Sequence, residues 1–248
     1  MHDELIFFVK IAVLRPEEYI KDTLELFHNT GFEVVATPFL KIKVNEDGVK
    51  KFESIDSFDT AIITSQTAAK IISRYSYKFE GKNVIAIGKK TAEILSKSRI
   101  EPEIPEKFDS RTVYEQYREK LKNKRIILLR SDRGDPILLK LSEVADVEEI
   151  VLYTIEKRWG GEQRELLNDI AAGNFDTVIF SSSMMVSSFM ELAEEMNIKN
   201  KVINRLKEIK VVAIGPPTAR ALENYGLKAE IPDEYTFKGV VNLLEKLK

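Results

Sequence analysis

The sequence predicts an α/β fold of two doubly wound parallel-sheet domains that are related by internal duplication and joined by a two-stranded connector. Apolar runs with the length of strands alternate with segments of helical periodicity, which is typical of parallel sheets. The chain has 248 residues, enough for two ordinary domains. Three pairs of similar segments recur in the same order, at offsets of 115, 117 and 127 residues. The pairs are Lys10–Glu18 with Arg125–Arg133, Phe58–Ile72 with Phe175–Met190, and Asn83–Leu95 with Lys210–Leu222.

The first half of the chain predicts four strands, with helices after all but the second. Pro16 suits the first position of a helix, and Pro38 interrupts the second strand, which favours an edge strand or a connector there. We expect the polar segment Lys41–Lys51 to be a loop and Ser110 to cap the last helix of this half. The predicted strands are Val9–Leu14, Phe32–Leu40, Phe58–Thr64 and Val84–Ile87.

The second half repeats this alternation. Val147–Ile155 alternates as a strand and occupies the same place in its repeat as Phe32–Leu40. The segment from Lys210 predicts a buried strand, a Gly-Pro-Pro turn and a helix opening on Thr218, with backbone N–H groups free to attract anions. The other predicted strands are Arg125–Leu129 and Thr177–Phe180. Helices are expected near 137–141, over 164–172 and 185–196, and from Thr236, where Val240, Leu243, Leu244 and Leu247 form a stripe.

The composition excludes several classes of function. With 38 basic and 40 acidic side chains, no overall field recruits nucleic acid or an anionic membrane. The absence of cysteine excludes disulfides, thiolate catalysis and cysteine metal sites. No apolar run approaches the ~20 residues of a membrane span, and residues 1–10 lack the cleavage site of a signal peptide. We therefore expect a cytoplasmic protein with no nucleic-acid or membrane partner.

The candidate site follows from the predicted strand ends, because ligands of parallel sheets bind beyond the carboxyl ends of the strands. The residues there are rich in hydroxyls, glycines and cations, without histidine or a carboxylate cluster. This set suits an anionic ligand held by backbone and hydroxyl donors, and it predicts no metal site. The candidate binding residues are Arg15, Thr64, Ser65, Thr91, Arg130, Gly134, Ser181, Ser182, Ser183, Gly215, Pro217 and Thr218.

Two other classes of function were weighed. A nucleotide or phosphosugar enzyme is disfavoured, because neither G-x-G-x-x-G nor G-x-x-x-x-G-K-[ST] occurs in the chain. A non-catalytic cytosolic two-domain protein that binds an anionic small molecule stays open as the alternative to an enzyme.

Several motifs give the chain a resemblance to the uroporphyrinogen-III synthase family. They are VLRP at 13–16, FD-x-x-I at both 58–62 and 175–179, VLY-T around Tyr153, and AIGPPTARAL-x-x-x-G-L at 213–227 followed by Pro232. The similarity runs nearly from end to end, and only the last of these motifs is moderately specific. Order and spacing therefore contribute most of the resemblance.

The resemblance implies a cofactor-independent enzyme. Such an enzyme expels the hydroxyl of linear hydroxymethylbilane, inverts the terminal D ring and closes the macrocycle to uroporphyrinogen III, through an azafulvene cation and a spiro-pyrrolenine. Tyr153 matches the family's candidate general acid. The substrate carries eight carboxylates, which suits a site made of amides and hydroxyls. Whether the product goes on to heme, siroheme or a corrinoid is left open.

The resemblance also implies a discontinuous domain. It consists of residues 1–37 and 157–248, with residues 38–156 as an inserted domain, and the connectors coincide with Phe32–Leu40 and Val147–Ile155. The expected partner is the small-molecule substrate alone. We expect a monomer, since no apolar stripe is left over, and transient contact with the preceding pathway enzyme is left open.

Overall fold

A computed structural model describes residues 9–246 of the chain. The chain divides into two compact units, the first formed by Met1–Lys41 with Glu156–Lys248 and the second by Ile42–Ile155. Each unit has a largely parallel sheet covered by helices, so the α/β class is confirmed. No helix within the described residues is both long and apolar enough to cross a membrane. Leu247 of the predicted last stripe lies outside the described residues.

The secondary-structure elements are numbered in chain order. The strands are β1 (Val9–Leu14), β2 (Phe32–Thr37), β3 (Leu40–Val44), β4 (Thr60–Ile63), β5 (Asn83–Ala86), β6 (Arg125–Ser131), β7 (Asp146–Lys157), β8 (Thr177–Phe180) and β9 (Lys210–Ala213). The helices are α1 (Ile20–Phe27), α2 (Glu46–Ser54), α3 (Gln66–Ile72), α4 (Lys89–Lys97), α5 (Ser110–Tyr117), α6 (Gly161–Ala172), α7 (Ser183–Glu195), α8 (Lys199–Glu208), α9 (Pro216–Glu223) and α10 (Phe237–Lys246). Short 3-10 helices cover Glu17–Tyr19, Ser73–Phe79 and Pro136–Glu143.

The first unit contains a four-stranded parallel sheet in the order β2-β1-β8-β9. Successive residues of a strand point to opposite faces, so Ile11 and Val13 of β1 lie on one face of the sheet. There they belong to one buried cluster with Phe27 of α1 and Phe237 of α10. On the other face, the rings of Phe180 and Phe189 meet edge to face, which joins β8 to α7.

The second unit contains the strands β7-β6-β4-β5 in parallel, with β3 beside β7 at the edge. Its two faces have separate cores. Ile127 and Leu129 of β6 pack into a cluster with residues of α2, α3 and α4. Ile126 and Leu128 of the same strand pack with Val113 of α5. The chain passes between the two units within β3 and within β7.

The two sheets have the same register at the offsets found in the sequence. The equivalent pairs are Ile11–Thr177 and Thr177–Lys210 in the first unit, and Ile126–Thr60 and Thr60–Asn83 in the second. An internal duplication requires this equivalence. The duplication itself stays a prediction from the sequence.

The aspartate of each FD motif ties together the amino ends of the two central strands. The Asp59 carboxylate accepts a hydrogen bond from the Arg125 N–H at 2.8 Å, and the Asp176 carboxylate accepts one from the Lys10 N–H at 2.8 Å. The N–H of each aspartate donates in turn to the carbonyl of the same neighbour. The preceding phenylalanines, Phe58 and Phe175, are buried. The motif therefore sets the register of the central strand pair in each unit.

The prediction of a loop over Lys41–Lys51 is wrong, because only Asn45 of this segment lies outside a strand or a helix. Its first residues belong to β3, in which Leu40, Ile42 and Val44 alternate with lysines, and its remainder begins α2. Two lysines in five residues conceal a period-two pattern that is typical of a strand with one exposed face.

The predicted starts of two helices are also wrong. Asp109, not Ser110, is the N-cap of α5, and its carboxylate accepts a hydrogen bond from the Thr112 N–H at 2.7 Å. That bond holds the pKa of Asp109 below its usual range. The helix expected from Thr218 begins two residues earlier, because prolines are tolerated in the first turn, where their missing N–H groups have no partner within the helix.

We predict that Gly48→Ala destabilises the protein strongly. A Cβ on Gly48 would lie 1.9 Å from the Val151 carbonyl oxygen, a backbone atom that cannot rotate away. We expect a loss of about 3 kcal/mol of unfolding free energy, measured by chemical denaturation. Gly161→Ala is the matched control, because no heavy atom lies within 4 Å of its added Cβ. Equal stability of the two variants would contradict the close approach of α2 to β7.

Candidate functional site

The predicted site residues form two groups, one in each unit. Because the paired strands are parallel, the residues that follow β4, β5 and β6 lie at one edge of the second sheet. Those that follow β1, β8 and β9 lie at one edge of the first.

In the second unit, Tyr153 and Ser65 are joined by a hydrogen bond. The Tyr153 hydroxyl, on β7, donates to Ser65 Oγ at 2.9 Å. Ser65 is the N-cap of α3, and its Oγ also accepts from the Ala68 N–H at 3.1 Å. Tyr153 is only 5% exposed, whereas Ser65 is half-buried. A serine oxygen that accepts two hydrogen bonds keeps its own O–H as a donor. Thr64, the residue before Ser65, is half-buried at the end of β4.

Arg130 lies beneath the loop that follows β6. Its side chain is 2% exposed, and its Nε donates to Glu149 Oε1 on β7 at 2.5 Å. A second nitrogen donates to the Asp135 carbonyl at 2.5 Å. A Cβ on Gly134 would lie 2.4 Å from Arg130 Cδ, so the loop passes directly over the guanidinium side chain. Arg130 and Gly134 therefore hold the shape of this loop, and the Arg130 guanidinium does not face solvent.

The start of α4 provides cations and backbone donors. Gly88, which has a φ of +101°, is the N-cap, and a left-handed φ of this kind favours glycine. Lys89 and Lys90 are exposed, whereas Thr91 is 3% exposed and belongs to the buried side of the helix. The predicted contribution of Thr91 to a binding surface would therefore have to come through its backbone.

In the first unit, Arg15 follows β1 and is held by aromatic rings. Its guanidinium carbon lies 3.8 Å from the centroid of the Phe237 ring and 4.9 Å from that of Tyr19. A guanidinium nitrogen donates to Thr23 Oγ1 at 2.8 Å. Burial is the largest cause of a lowered pKa for Arg15, opposed by Tyr19, Asp22 and Glu18. An arginine stays cationic at neutral pH after such a shift, so Arg15 is a fixed charge.

Three consecutive serines follow β8 and have different environments. Ser182 is the N-cap of α7, and its Oγ accepts from the Met185 N–H at 3.2 Å. Ser183 is exposed. The Oγ of Ser181 is buried and has no hydrogen-bond partner among the described residues. A buried hydroxyl without a partner is destabilising, so Ser181 is one candidate for a group that a ligand would satisfy.

The turn before α9 differs from what the sequence predicted. Pro216 and Pro217 have no N–H, and the N–H groups of Thr218 and Ala219 both donate to the Gly215 carbonyl at 3.1 Å. The expectation of free N–H groups at this helix start is therefore wrong for these four residues. Thr218 is 3% exposed, Gly215 is buried and Pro217 is exposed.

Several neighbours of these residues were not predicted from sequence. Thr23 and Phe237 fix Arg15, and Glu149 fixes Arg130. The three neighbours lie on α1, α10 and β7, and the packing of these elements against Arg15 and Arg130 cannot be predicted from a local sequence pattern. Within residues 9–246, no group of three or more histidine, cysteine, aspartate or glutamate side chains could hold a metal ion. The candidate site in each unit therefore consists of hydroxyls, backbone groups and cations.

Together, the fold and these strand ends define an α/β protein of two parallel-sheet units, each with polar residues at the edge where such sheets bind ligands. The family model described as "Uroporphyrinogen-III synthase HemD" matches residues 21–242. The chain belongs to the uroporphyrinogen-III synthase family.

Relatives in sequence agree with this assignment. A protein of Archaeoglobus fulgidus, provisionally named a uroporphyrinogen-III synthase, is 42% identical over 240 residues, which cover 97% of this chain and 100% of the relative. A protein of Methanothermobacter thermautotrophicus with the same provisional name is 28% identical, over 94% of this chain and 96% of the relative.

Solved structures support the fold. A mutant uroporphyrinogen III synthase of Thermus thermophilus matches with a TM-score of 0.69 and 18% identity, over 96% of this chain and 98% of that one. Uroporphyrinogen-III synthetase of Helicobacter pylori matches with a TM-score of 0.63 and 14% identity, over 98% of this chain and 100% of that one.

We predict that Glu149→Gln destabilises the protein more than Glu148→Gln does. Loss of the Glu149 carboxylate leaves the buried Arg130 charge with a weaker partner, which we expect to cost about 2 kcal/mol of unfolding free energy. Glu148 pairs with Lys51 and Arg125, whose charges remain solvated because both side chains are exposed, so its replacement should cost less than about 1 kcal/mol. Denaturant titrations compare the two variants. Equal losses would show that Arg130 does not depend on Glu149.

Proposed function

We propose that this protein catalyses the dehydrating cyclisation of hydroxymethylbilane to uroporphyrinogen III, with inversion of ring D and without a cofactor. The reaction class is that of a carbon-oxygen lyase, since a C–O bond breaks and water leaves. The observation that carries the proposal is the family match over residues 21–242. No specific feature favours a non-catalytic binding protein.

The residues at the two strand edges suit this substrate. Hydroxymethylbilane is a flexible polyacid, and carboxylates bind well to cations, hydroxyls and unpaired N–H groups. Arg15 supplies a fixed charge in the first unit, and Lys89 and Lys90 are exposed in the second. Ser182 and Ser183 begin α7, a helix of 13 residues whose dipole favours anions at this end. We propose that these groups hold the side chains of the substrate.

The demanding part of the reaction is control of geometry. A pyrrole ring itself pushes hydroxide from the adjacent carbon, so a single proton donor near the leaving oxygen is enough. The resulting cation can also close the ring without inversion. Fixing the reacting carbons in one arrangement can contribute ~7–11 kcal/mol in favourable cases, so we infer that orientation supplies most of the catalysis and all of the isomer specificity.

We propose that the leaving hydroxyl receives its proton from Ser65, which Tyr153 reprotonates. The hydrogen bond from Tyr153 to Ser65 supports this order, because Tyr153 is buried and Ser65 retains an O–H to donate. The hydroxyl then leaves as water. The pyrrole carbon that closes the ring loses a proton when aromaticity returns, and the tyrosinate regains a proton through solvent. A phenol is a weak acid, so this path assists the reaction modestly.

The remaining proposals concern the whole protein. We propose that residues 1–37 with 157–248 and residues 38–156 act as the two domains, and that β3 and β7 are the connectors between them. We also propose that the protein works in the cytoplasm as a monomer. Transient contact with the enzyme that supplies the unstable linear tetrapyrrole would fit this role.

The first test is product analysis. The protein is incubated with freshly prepared hydroxymethylbilane, the products are oxidised, and the uroporphyrin isomers are separated by chromatography. We predict that the III isomer predominates and forms faster than spontaneous ring closure. The I isomer alone, at the uncatalysed rate, would refute the enzyme and leave a binding protein.

The proton path predicts how two substitutions combine. Tyr153→Phe and Ser65→Ala should each lower kcat about 10- to 100-fold, because general-acid assistance is lost while binding persists. The double variant should be no slower than the slower single variant, since both changes break one path. Ser65→Thr keeps a hydroxyl and should retain most of the activity. Multiplicative losses in the double variant would show that the two side chains act independently.

A further inference from the structure

In each unit the edge strand, β5 or β9, is followed by a glycine that caps the next helix, Gly88 or Gly215. An exposed aromatic ring lies beside each of these glycines. In the second unit this ring is Phe108, which is 53% exposed, and in the first it is Tyr235, which is 61% exposed. A Cβ on Gly215 would lie 3.4 Å from Tyr235 Cγ, and a Cβ on Gly88 would lie 4.0 Å from Phe108 Cβ. Each aromatic therefore lies at the carboxyl edge of its own sheet, where the candidate binding residues also lie.

The two rings occupy equivalent positions. Each follows a single parallel bridge to the edge strand, Ile85 with Glu103 in the second unit and Val212 with Glu230 in the first. Each also belongs to a segment with the pattern P-x-x-[FY]-[DT] that caps the next helix. The pattern spans 105–109 and 232–236, and the two copies lie 127 residues apart, the offset of the edge strands. The capping groups are the Asp109 carboxylate and the Thr236 hydroxyl.

Folding does not account for these rings. An aromatic side chain stabilises a fold by leaving water, and rings that are more than half exposed contribute little in this way. A smaller polar residue would serve the turn equally well. Single exposed apolar residues are common on protein surfaces, so the indication of a ligand is that an exposed ring recurs at matched positions of the two units, next to candidate binding residues.

The surroundings indicate the ligand's chemistry. Lys89 Nζ lies 6.0 Å from the centroid of the Phe108 ring, so an apolar face and a cation are adjacent in the second unit. In the first unit, Tyr235 lies against Gly215. The two residues that follow Gly215 are prolines, which have no N–H to donate. A flat ring with carboxylate side chains would therefore suit Phe108 and Lys89, and the flat face of such a ring would suit Tyr235.

We propose that Phe108 and Tyr235 are each, within its own unit, a contact surface for a pyrrole ring of a tetrapyrrole. This inference rests on the function proposed above and adds the groups that hold the rings, as distinct from the carboxylates. Flat aromatic groups contact each other in offset or edge-to-face arrangements. The exposed rings of Phe108 and Tyr235 would be shielded from water only when a ligand ring packs against them. The rings thereby restrict which pyrrole orientations the site accepts.

Binding of uroporphyrin III, the stable oxidised product, tests the inference without catalysis. Titrations followed by porphyrin absorbance compare the native protein with Phe108→Ala, Tyr235→Ala and the double variant. We expect affinity to fall about 3- to 10-fold for each single variant, and the double variant to bind no more tightly than the weaker of the two single variants. Tyr235→Phe should bind as the native protein does, because the ring is kept.

Tyr77→Ala is the matched control, since Tyr77 is 63% exposed but lies in the 3-10 helix after α3. It should bind uroporphyrin III normally, and thermal melts should show that all variants are folded. Native affinity in the Phe108 and Tyr235 alanine variants, or an equal loss in Tyr77→Ala, would overturn the inference. The product assay separates the two proposals, because a protein that yields no III isomer yet binds through these rings refutes only the enzyme.

Discussion

The structure depends on the parallel pairing of two central strands in each unit. Asp59 and Asp176 each tie the amino end of a central strand to its neighbour through two hydrogen bonds, one to the aspartate carboxylate and one from the aspartate N–H. Because the strands are parallel, the residues that follow them all lie at the other end of the sheet, beyond the carboxyl ends of the strands. The candidate site in each unit is therefore a consequence of register, and loops of different sequence can occupy the same positions.

The two edges have equivalent topology but different chemistry. At the edge of the second unit, α4 begins with two exposed lysines and intact N–H groups, and Ser65 is linked to the buried Tyr153. At the edge of the first, α9 begins with two prolines, and the cation is Arg15, held between aromatic rings. The substrate proposed here, with rings and carboxylates along an open chain, has groups that suit both kinds of surface.

Much of the fold follows from the sequence because the strands are short, apolar and closed by recognisable caps, as Thr177–Phe180 and Ser182 illustrate. The strand β3 was not predicted, because its two lysines made the segment look polar although its apolar residues alternate as in a strand. For the site, topology predicts which residues follow a strand but not which way they face. The third residue of a helix, Thr91 or Thr218, turns toward the interior. Arg130 is buried and pairs with the carboxylate of Glu149, 19 residues away on the next strand. No local sequence pattern predicts this pairing.

We propose that the carboxyl edges of both sheets bind a tetrapyrrole through backbone amides, together with the cations and hydroxyls beside them. Amide NMR of the protein, titrated with uroporphyrin III, measures this directly. We expect the largest shifts on the amides at the start of α4 and α7, among them those of Lys89, Lys90, Ser182 and Ser183. Shifts confined to the amino ends of the strands, near Asp59 and Asp176, or none at saturating ligand, would contradict it.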